Sequence, residues 1–381
     1  MVTQIYSSFH PKRSSTAGQI REFVRQLIID GKLRLGEKLP AVRELADQWG
    51  TYGPTVHQAL LGLIKEGVLE AYRGKGFYVS EQRLPLKDIG VYYSDEALLG
   101  PEVLYPSAYY RVLKEELLGR GYRVHLWIDP RSPKERRQPW PRLVEACRKR
   151  EIQGLIARGG TSNEFPWLLK LPIPVAIESP DRLSQGVAFD LRDFSQKALK
   201  ALIAQGCPRV GLITLTALHA VPLDGKETYS AAVPEVFRQE AEKLGCETCR
   251  NWIQTLTHAS FPKPSLSSHE AFGREKFLSL WSQSHRPQGI VVYPSSIVPG
   301  VIQGAVSAHV QVPQELKLVL HRSSEVILQS AFPATWLLSS DQDKSRALIE
   351  QIERQSKGES PHQILVPFKT DAGVTGESIQ R

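Results

Sequence analysis

The first 80 residues carry a hydrophobic pattern of helices with clear start and stop signals. Apolar residues recur at three- and four-residue spacing in successive segments, which is the periodicity of amphipathic helices. We expect the first helix to begin at the capping residue Thr16 and to end at Gly31. The second is expected between Pro40 and Gly50, because proline suits a first helical turn and glycine suits a C-cap.

A third helix and a hairpin complete this pattern. After a tight turn, the third helix is expected from Pro54 to Gly67. Two β-prone runs then flank residues 73–76, RGKG, a sequence that favours a tight hairpin. Two helices joined by a short turn, with a hairpin behind them, are typical of a winged helix-turn-helix.

From Asp88 the pattern changes to short, continuous apolar runs that alternate with helical segments. Runs of this kind are typical of a parallel sheet covered on both faces, so we expect an α/β fold. The runs are IGVYY, YRVHLWI, IQGLIA, IPVAIE, RVGLIT, GIVVY and LKLVL, with helices expected at about 103–119, 140–150, 193–205, 234–244, 269–283 and 297–308. The segment ATWLLSS then predicts a strand, which is followed by one more helix and a terminal strand, HQILVPF.

The length of the chain agrees with this division. At 381 residues it exceeds the ~100–200 residues of an average domain, so two or three hydrophobic cores are expected. The predicted parts are a flexible N-terminus at 1–14, a winged helix-turn-helix at 15–80, a linker at 81–87, an α/β domain at 88–370 and a tail at 371–381.

The charge of the chain favours a polyanionic partner. The formal net charge is +8, and residues 1–83 hold twelve Lys or Arg against eight Asp or Glu. The N-terminus has no apolar run typical of a signal peptide, and no later segment approaches the ~18 apolar residues of a membrane span. We therefore expect a cytoplasmic protein that contacts no membrane.

Cysteine spacing and motif searches give no sign of an enzyme. Four cysteines are too few for a disulfide framework, and the Cys246–Cys249 pair lacks the second half of a zinc site, which favours a structural pair over metal or redox chemistry. The sequence contains no nucleophile elbow, P-loop, dinucleotide fingerprint or HExxH motif. No enzymatic activity, cofactor or metal is expected.

The segment from Gly31 to Val79 resembles the winged helix-turn-helix of the GntR family over nearly its whole length. The matching features are Gly36-Glu37-Lys38-Leu39-Pro40, Arg43-Glu44-Leu45-Ala46, Thr55-Val56, Ala59-Leu60, Leu63, Glu66-Gly67 and Gly74-Lys75-Gly76 with Val79. This resemblance implies that the third helix enters the major groove of DNA and that the wing reaches the minor groove. The residues that it nominates, together with neighbours that can form hydrogen bonds, are Arg43, Tyr52, Gly53, Pro54, Thr55, His57, Gln58, Arg73, Gly74 and Lys75.

The residues expected to contact DNA bases depart from the family pattern. Where the family usually has Ser or Thr followed by Arg, this chain has Tyr52-Gly53, and His57 stands where another Arg is common. The operator sequence therefore cannot be inherited from the family. His57 either contacts DNA or is a solvated helix residue.

The region 88–370 resembles the LacI-type effector module, which is similar to periplasmic sugar-binding proteins. The resemblance rests on QGVAFDLRDFSQKALKALIAQGCPRVGLIT and on the ending SSDQDKSRALIEQIERQSKG with HQILVPF. It implies two α/β lobes with a ligand cleft between them. Strand ends and an aromatic platform suited to a sugar nominate Tyr93, Ser94, Arg158, Glu178, Tyr293, Ser295 and Ser340 as ligand-binding residues. The family's pocket Arg falls on Val233 and its pocket Asp on Pro294, so these two positions depart from the typical sugar site.

These patterns predict a DNA-binding transcription regulator, by family default a repressor, that acts as a homodimer on double-stranded operator DNA. A small molecule such as a sugar would control operator binding, and the bound protein would be associated with the nucleoid. The alternative is a ligand-independent DNA-binding protein with a degenerate effector domain. The sequence also contains a run of basic residues with two possible interpretations, a solvated surface or an auxiliary contact with DNA or an acidic ligand. These residues are Arg131, Lys134, Arg136, Arg137, Arg142, Arg148, Lys149 and Arg150.

Overall fold

The chain forms two compact units, Met1–Pro85 and Leu86–Arg381. The computed structural model describes residues 16–29, 32–34, 36–80, 86–94, 104–132, 134–158, 166–178, 186–216, 233–257 and 266–371. Of the predicted linker, 81–85 lie outside the described residues. Leu86 and Lys87 already contact the second unit, since Lys87 N donates to Gln153 Oε1 at 3.1 Å.

The first unit contains three helices and a two-stranded antiparallel sheet. Helix α1 spans Ala17–Ile29, α2 spans Val42–Gln48 and α3 spans Gly53–Lys65. Strands β1 (Leu69–Tyr72) and β2 (Gly76–Val79) form the hairpin. The preceding loop joins β2, because Leu39 N donates to Phe77 O and Val79 N donates to Glu37 O. The winged helix-turn-helix fold predicted from the sequence is thus present.

Local signals set the helix boundaries of this unit. Thr16 and Gln19 exchange hydrogen bonds at the start of α1, as a capping pair does. Gly67 ends α3 with a φ of +69°, a conformation that glycine adopts without a Cβ penalty. The predicted start of α2 at Pro40 is wrong: Ala41 is still extended, and Glu44 Oε2 accepts from its backbone N–H, so the helix starts at Val42. The predicted end at Gly31 lies outside the described residues.

A small hydrophobic core joins the three helices to the hairpin. Trp49 is 1 % exposed and meets Phe23 edge-on at 5.8 Å. An ion pair between Arg25 and Glu66 links α1 to the end of α3. The buried members of this core include Ile20, Val24, Leu27, Leu45, Trp49, Val56, Leu60, Leu63 and Val79.

The second unit contains two six-stranded sheets, which define two lobes. The strands of lobe 1 are β3 (Asp88–Ser94), β4 (Arg123–Asp129), β5 (Gly154–Arg158), β6 (Val175–Glu178), β7 (Gly186–Phe189) and β13 (Ile364–Val366). Their order is β13-β7-β6-β5-β3-β4, and every pair is parallel.

The second sheet has the same number of strands and one antiparallel edge. The strands of lobe 2 are β8 (Val210–Thr216), β9 (Ile253–Thr257), β10 (Gly289–Tyr293), β11 (Lys317–Ser323), β12 (Thr335–Ser339) and β14 (Lys369–Asp371). Their order is β14-β12-β11-β10-β8-β9, and β14 runs antiparallel to β12.

Helices cover both sheets, as the alternating pattern predicted. They are α4 (Leu104–Gly119), α5 (Pro141–Arg148), α6 (Leu191–Ala204), α7 (Val233–Lys243), α8 (Leu266–Trp281), α9 (Val298–Ser307) and α10 (Asp341–Ser356). Each lies within a few residues of its predicted position. In the part of the chain that the structure describes, no helix combines the length and the apolarity that crossing a bilayer requires.

The chain passes between the lobes three times. It leaves β7 in lobe 1 for α6 on lobe 2, returns from β12 to α10 on lobe 1, and crosses again between β13 and β14. The terminal run HQILVPF, predicted as one strand, therefore contributes only β13, and β14 follows in the other sheet. Strands β7 and β9 were also absent from the predicted set.

Candidate nucleic-acid interface and interlobe site

Helix α3 exposes one face and buries the other. Val56 and Leu60 are fully buried in the core of the first unit. Tyr52, which immediately precedes the helix, is 65 % exposed, and the side chains of His57 and Gln58 are exposed as well. The predicted reading residues are thus held on a fixed helix but make few contacts with the protein.

The turn before α3 leaves the positive end of the helix without a side-chain cap. Gly50 has a φ of +57°, and Tyr52 is extended with no capping hydrogen bond from its side chain. Thr55 N donates to Tyr52 O at 3.0 Å, and Pro54 lies in the first turn. An uncapped helix N-terminus preceded by a tight turn is suited to a phosphate group.

The wing places its basic residues at an exposed tip. Arg73, Gly74 and Lys75 form a three-residue turn that Lys75 N closes by donating to Tyr72 O at 2.9 Å. Gly74 has a φ of +75° and open space where a side chain would begin, so another molecule can approach its backbone closely. The wing also contacts α3, since the His57 ring lies 6.0 Å from the Phe77 ring.

Three predicted ligand residues meet at adjacent strand ends of lobe 1. The sheet register pairs Tyr93 with Arg158 and Arg158 with Glu178. Arg158 Nε lies 2.9 Å from Glu178 Oε2. A second cation comes from α10: Lys344 Nζ donates to Glu178 Oε1 at 2.7 Å and lies 3.2 Å from Asp341 Oδ1.

Tyr109 of α4 lies between the two cations. The Arg158 Cζ atom is 4.0 Å from the centre of its ring and Lys344 Nζ is 4.4 Å from it, both within cation–π range. Lys344 also lies 4.3 Å from the Phe189 ring at the end of β7. The charges are therefore held against aromatic faces at the point where the chain leaves lobe 1.

The charged states of this cluster follow from its contacts. Burial opposes ionisation of Glu178, but the positive charges of Arg158 and Lys344 outweigh it and lower the pKa of the carboxyl. Burial raises the pKa of Tyr93 to about 12 and raises that of Tyr109 well above its usual value. Both tyrosines are therefore protonated hydroxyls beside an ionised carboxylate.

Lobe 2 contributes a second cluster around His321 of β11. Ser295 N donates to His321 Nδ1 at 3.0 Å, and the Tyr293 ring lies 4.8 Å from the imidazole. Burial, with a smaller effect of the Lys344 charge, lowers the pKa of His321 to about 3. The ring is therefore neutral, and because Nδ1 accepts a hydrogen bond, its proton is on Nε2.

The remaining predicted ligand residues have other positions. Ser340 caps α10, since its Oγ accepts from Asp343 N at 3.0 Å. The side chain of Ser94 lies outside the described residues. The structure thus brings together Tyr93, Arg158 and Glu178 in lobe 1, and Tyr293 and Ser295 in lobe 2.

Comparison with known proteins identifies both units. Residues 16–79 match the family of bacterial regulatory proteins, gntR family, and residues 199–369 match the periplasmic binding protein-like domain. This chain is a GntR-type winged helix-turn-helix joined to a periplasmic-binding-protein-like domain. This combination of domains is the one that the sequence resemblances predicted.

Curated relatives match less than half of the chain. The HTH-type transcriptional repressor YtrA of Bacillus subtilis is 42 % identical over 71 residues, which cover 18 % of this chain and 55 % of that protein. The arabinose metabolism transcriptional repressor of Geobacillus stearothermophilus is 32 % identical over 145 residues, which cover 36 % of each chain. The chain spans between 27 % and 55 % of the length of these and similar repressors.

Solved structures match the second unit. A LacI family transcription regulator from Clostridium acetobutylicum is 18 % identical, with a TM-score of 0.57, over 75 % of this chain and 98 % of that chain. A regulatory protein of the LacI family from Chloroflexus aggregans is 16 % identical, with a TM-score of 0.57, over 74 % and 96 %. At such identities the likeness establishes the two-lobed fold.

Three residues of the interlobe site were not predicted from the sequence. Lys344 and Tyr109 lie on helices, whereas the prediction considered strand ends, and His321 lies inside an apolar strand. One signal was available for Lys344, because it falls on the buried stripe of α10 with Leu348 and Ile352. A lysine on a buried stripe indicates a charge partner in the interior.

Val233 and Pro294 occupy the positions where the family has its pocket Arg and Asp, and neither has a polar side chain. Val233 is fully buried in the core of lobe 2 and offers no polar group. Pro294 follows β10 and precedes the turn that carries Ser295. The polar groups between the lobes therefore come from lobe 1, α10 and the His321 cluster rather than from these two positions.

The basic run 131–150 is only partly a solvated surface. Arg131 binds the fully buried Asp129 through two nitrogen atoms, and Arg136 is 5 % exposed and donates to Arg131 O. Most other members are exposed. The run thus contains structural arginines, and its role as an auxiliary contact stays a prediction.

The CxxC pair has one buried and one exposed member. Cys246 belongs to the core of lobe 2, whereas Cys249 is exposed. Among the described residues, His, Cys, Asp and Glu side chains form no group of three that could hold a metal ion.

Proposed function

We propose that this chain is a transcription regulator that binds operator DNA through its first unit and is controlled by a small molecule, such as a sugar, held between the lobes of its second unit. The observation that carries this proposal is the combination of an exposed helix and wing in one unit with a buried, charged interlobe site in the other. Matching repressors among its relatives favour repression, and one of them is named for arabinose metabolism.

In this proposal α3 lies in the major groove and the wing lies over the minor groove. Tyr52, His57 and Gln58 face the base edges, and Gly53 and Thr55 face a phosphate at the helix N-terminus. Arg43 on the first turn of α2 is exposed and presents a planar donor fork that suits guanine or phosphate.

The active form in this proposal is a homodimer in the cytoplasm. Two winged units then match a two-fold symmetric operator, and the ligand changes their spacing by changing the arrangement of the lobes. Ligand and DNA affinities are reciprocally linked in such a mechanism, so that a ligand that weakens DNA binding is itself bound more weakly by the DNA-bound form.

The test is selection of bound sequences from random duplex DNA by the full chain, repeated with each of a panel of sugars. Enrichment of a two-fold symmetric sequence whose binding weakens with rising salt supports the DNA-binding half of the proposal. Failure to bind any duplex at low salt contradicts it. DNA binding that no ligand alters supports the ligand-independent alternative instead.

A further inference from the structure

The interlobe site contains buried hydrogen-bond donors that the protein does not use. Arg158 Nη1, Tyr109 Oη and His321 Nε2 are buried and have no hydrogen-bond partner among the described residues. A buried donor without a partner costs about 1–3 kcal/mol, and more when it is charged. Two of these donors belong to the cluster of lobe 1, and the third belongs to the cluster of lobe 2, which is close enough for the Lys344 charge to act on His321. Unused donors on both lobes indicate that an acceptor from another molecule belongs between them.

Arg131 of the same lobe is a guanidinium with more hydrogen-bond partners. Arg131 meets both carboxylate oxygens of Asp129, and its Nη1 donates to Gln138 O and Pro139 O at 3.2 Å. Among the described residues, the carboxylate that pairs with Arg158 is that of Glu178, whose Oε2 lies 2.9 Å from Arg158 Nε, and the Tyr93 hydroxyl also interacts with the guanidinium. The guanidinium of Arg158 is therefore incompletely paired, although its surroundings are equally protected.

The charge around Arg158 is also incompletely balanced. Glu178 divides its two oxygens between two cations, giving Oε2 to Arg158 and Oε1 to Lys344. Asp341 Oδ1 lies 3.2 Å from Lys344 Nζ, and in the described part of the chain Asp341 forms no ion pair with Arg158. The excess positive charge therefore lies at the end of the cluster formed by Arg158 and Tyr109.

This end of the cluster is reachable from outside. The side chains of Arg158 and Glu178 keep 20 % and 18 % of their surface exposed. Lys344, in contrast, is 5 % exposed. A small molecule between the lobes can therefore reach Arg158 before it reaches Lys344.

From these observations we infer that the small molecule carries a carboxylate or phosphate group and that this anion binds Arg158 and the Tyr109 hydroxyl, with His321 Nε2 as a donor from lobe 2. The inference rests on the proposed function, because it assigns the chemical class of the ligand at that same site. An anion supplies only acceptors, and each of the three unused groups can donate a hydrogen bond to it. Acidic sugars and phosphorylated sugars have this chemistry, and neutral sugars lack the charge that Arg158 would pair with.

The test compares matched neutral and acidic sugars on the purified full chain. D-Glucose, D-gluconate, D-glucuronate and D-glucose 6-phosphate, with the corresponding forms of D-arabinose, D-ribose and D-galactose, are measured by isothermal titration and by thermal shift. We expect at least one acid to bind roughly tenfold or more tightly than its neutral parent, as a charge-assisted hydrogen bond predicts. The carboxylate and phosphate forms show which anion the site prefers.

Two variants locate the anion. Arg158→Ala should weaken binding of the acid by roughly ten- to hundredfold. Tyr109→Phe should weaken it by roughly two- to tenfold while leaving the melting temperature unchanged or raised, because the hydroxyl that it removes has no hydrogen-bond partner among the described residues. Arg238→Ala is the control, since Arg238 is an exposed arginine paired with Glu235 on α7.

The outcomes separate this inference from the proposed function. If no acid binds, or if each neutral sugar binds as tightly as its acid, the inference is overturned. If a neutral sugar releases the chain from its operator, the proposed function stands and the anion assignment fails. If an acid binds through Arg158 but leaves operator binding unchanged, the assignment stands and ligand control of DNA binding fails.

Discussion

The two candidate sites differ in how far the folded chain uses their polar groups. In the first unit, Tyr52 and His57 are exposed and the hydrophobic core lies on the other face of α3. In the second unit, Glu178 and Lys344 bind each other in the interior, where they also hold α10 against lobe 1. In the proposed function, the residues that contact DNA therefore lie outside the core of the first unit, whereas the charged groups beside the ligand also stabilise the second unit.

The sharpest test of this difference is Glu178→Gln. It leaves Arg158 and Lys344 as two buried cations without their shared carboxylate, which should lower the free energy of unfolding by about 3–5 kcal/mol. Urea denaturation followed by tryptophan fluorescence measures this, since six of the seven tryptophans lie in the second unit. The exposed pair of Glu235 and Arg238 gives the control: Glu235→Gln should change stability by less than about 1 kcal/mol. Equal effects of the two variants would show that the interlobe ion pairs do not support the fold.

Arg43→Ala should weaken DNA binding and leave the stability of the fold almost unchanged. Specific DNA binding should weaken by about 1–3 kcal/mol, because an exposed donor fork is lost from the proposed interface. The free energy of unfolding should stay within about 0.5 kcal/mol of the parent. Fluorescence anisotropy with the selected operator measures the first quantity, and Arg238→Ala serves as the control. Unchanged affinity for the operator would show that α2 does not contact DNA.

The pH dependence of stability should expose the neutral histidine of lobe 2. The pKa of His321 is lowered to about 3, whereas an unfolded histidine titrates near 6.5. Below pH 6.5 the unfolded chain takes up a proton that the folded chain excludes, so stability is lost as the pH falls toward 3. The slope contributed by this group is about 1.4 kcal/mol per pH unit. His321→Gln should flatten that slope in urea titrations between pH 6.5 and 5, and an identical slope in both proteins would contradict the assignment.

The smallest predicted effect is a gain of stability. Tyr52 occupies the N-cap of α3 without a capping hydrogen bond, and serine is a preferred residue at that position. Tyr52→Ser should therefore stabilise the first unit by about 0.5–1 kcal/mol. It should also change the sequences that the chain selects from random DNA. Stabilisation with an unchanged selection would mean that Tyr52 does not read bases.

The winged unit could be predicted closely because its boundaries are set by local residues. Gly67 and Gly74 adopt the positive φ that their positions in the turn patterns required. The error at the start of α2 came from treating Pro40 as the first helical residue, when the hydrogen bond from Ala41 N to Glu44 fixes the helix two residues later. Such side-chain choices shift boundaries without changing the fold.

The sequence predicted the overall α/β fold of the second unit but not its edge strand β9 or the short strand β7 that leads to the other lobe. Strand β9 is an edge strand in which Thr255 is exposed, so the segment lacks the continuous apolar run of the inner strands. Strand β7 has only four residues, Gly186–Phe189. Neither gives a pattern strong enough to separate it from a loop.

Only part of the interlobe site could be predicted from the ends of the strands. It found Arg158 and Glu178 because both follow buried strands in one sheet. It could not find Lys344 or Tyr109, since helices bring these residues to the site and their approach depends on how the helices pack on the sheet. Sequence patterns fix which residues lie on a buried face but not which charges meet there.

The three passages of the chain between the lobes have a mechanical consequence. Two of them are bound to each other, since Asp190 N donates to Val366 O and the Phe189 and Phe368 rings lie 5.5 Å apart. The third is fastened by Glu325 of lobe 2, whose carboxylate accepts from the backbone N–H groups of Asp341 and Gln342. Two lobes that are joined by three fixed connections have little freedom to slide or separate. Their remaining relative motion is a hinge rotation about the line of the three connections.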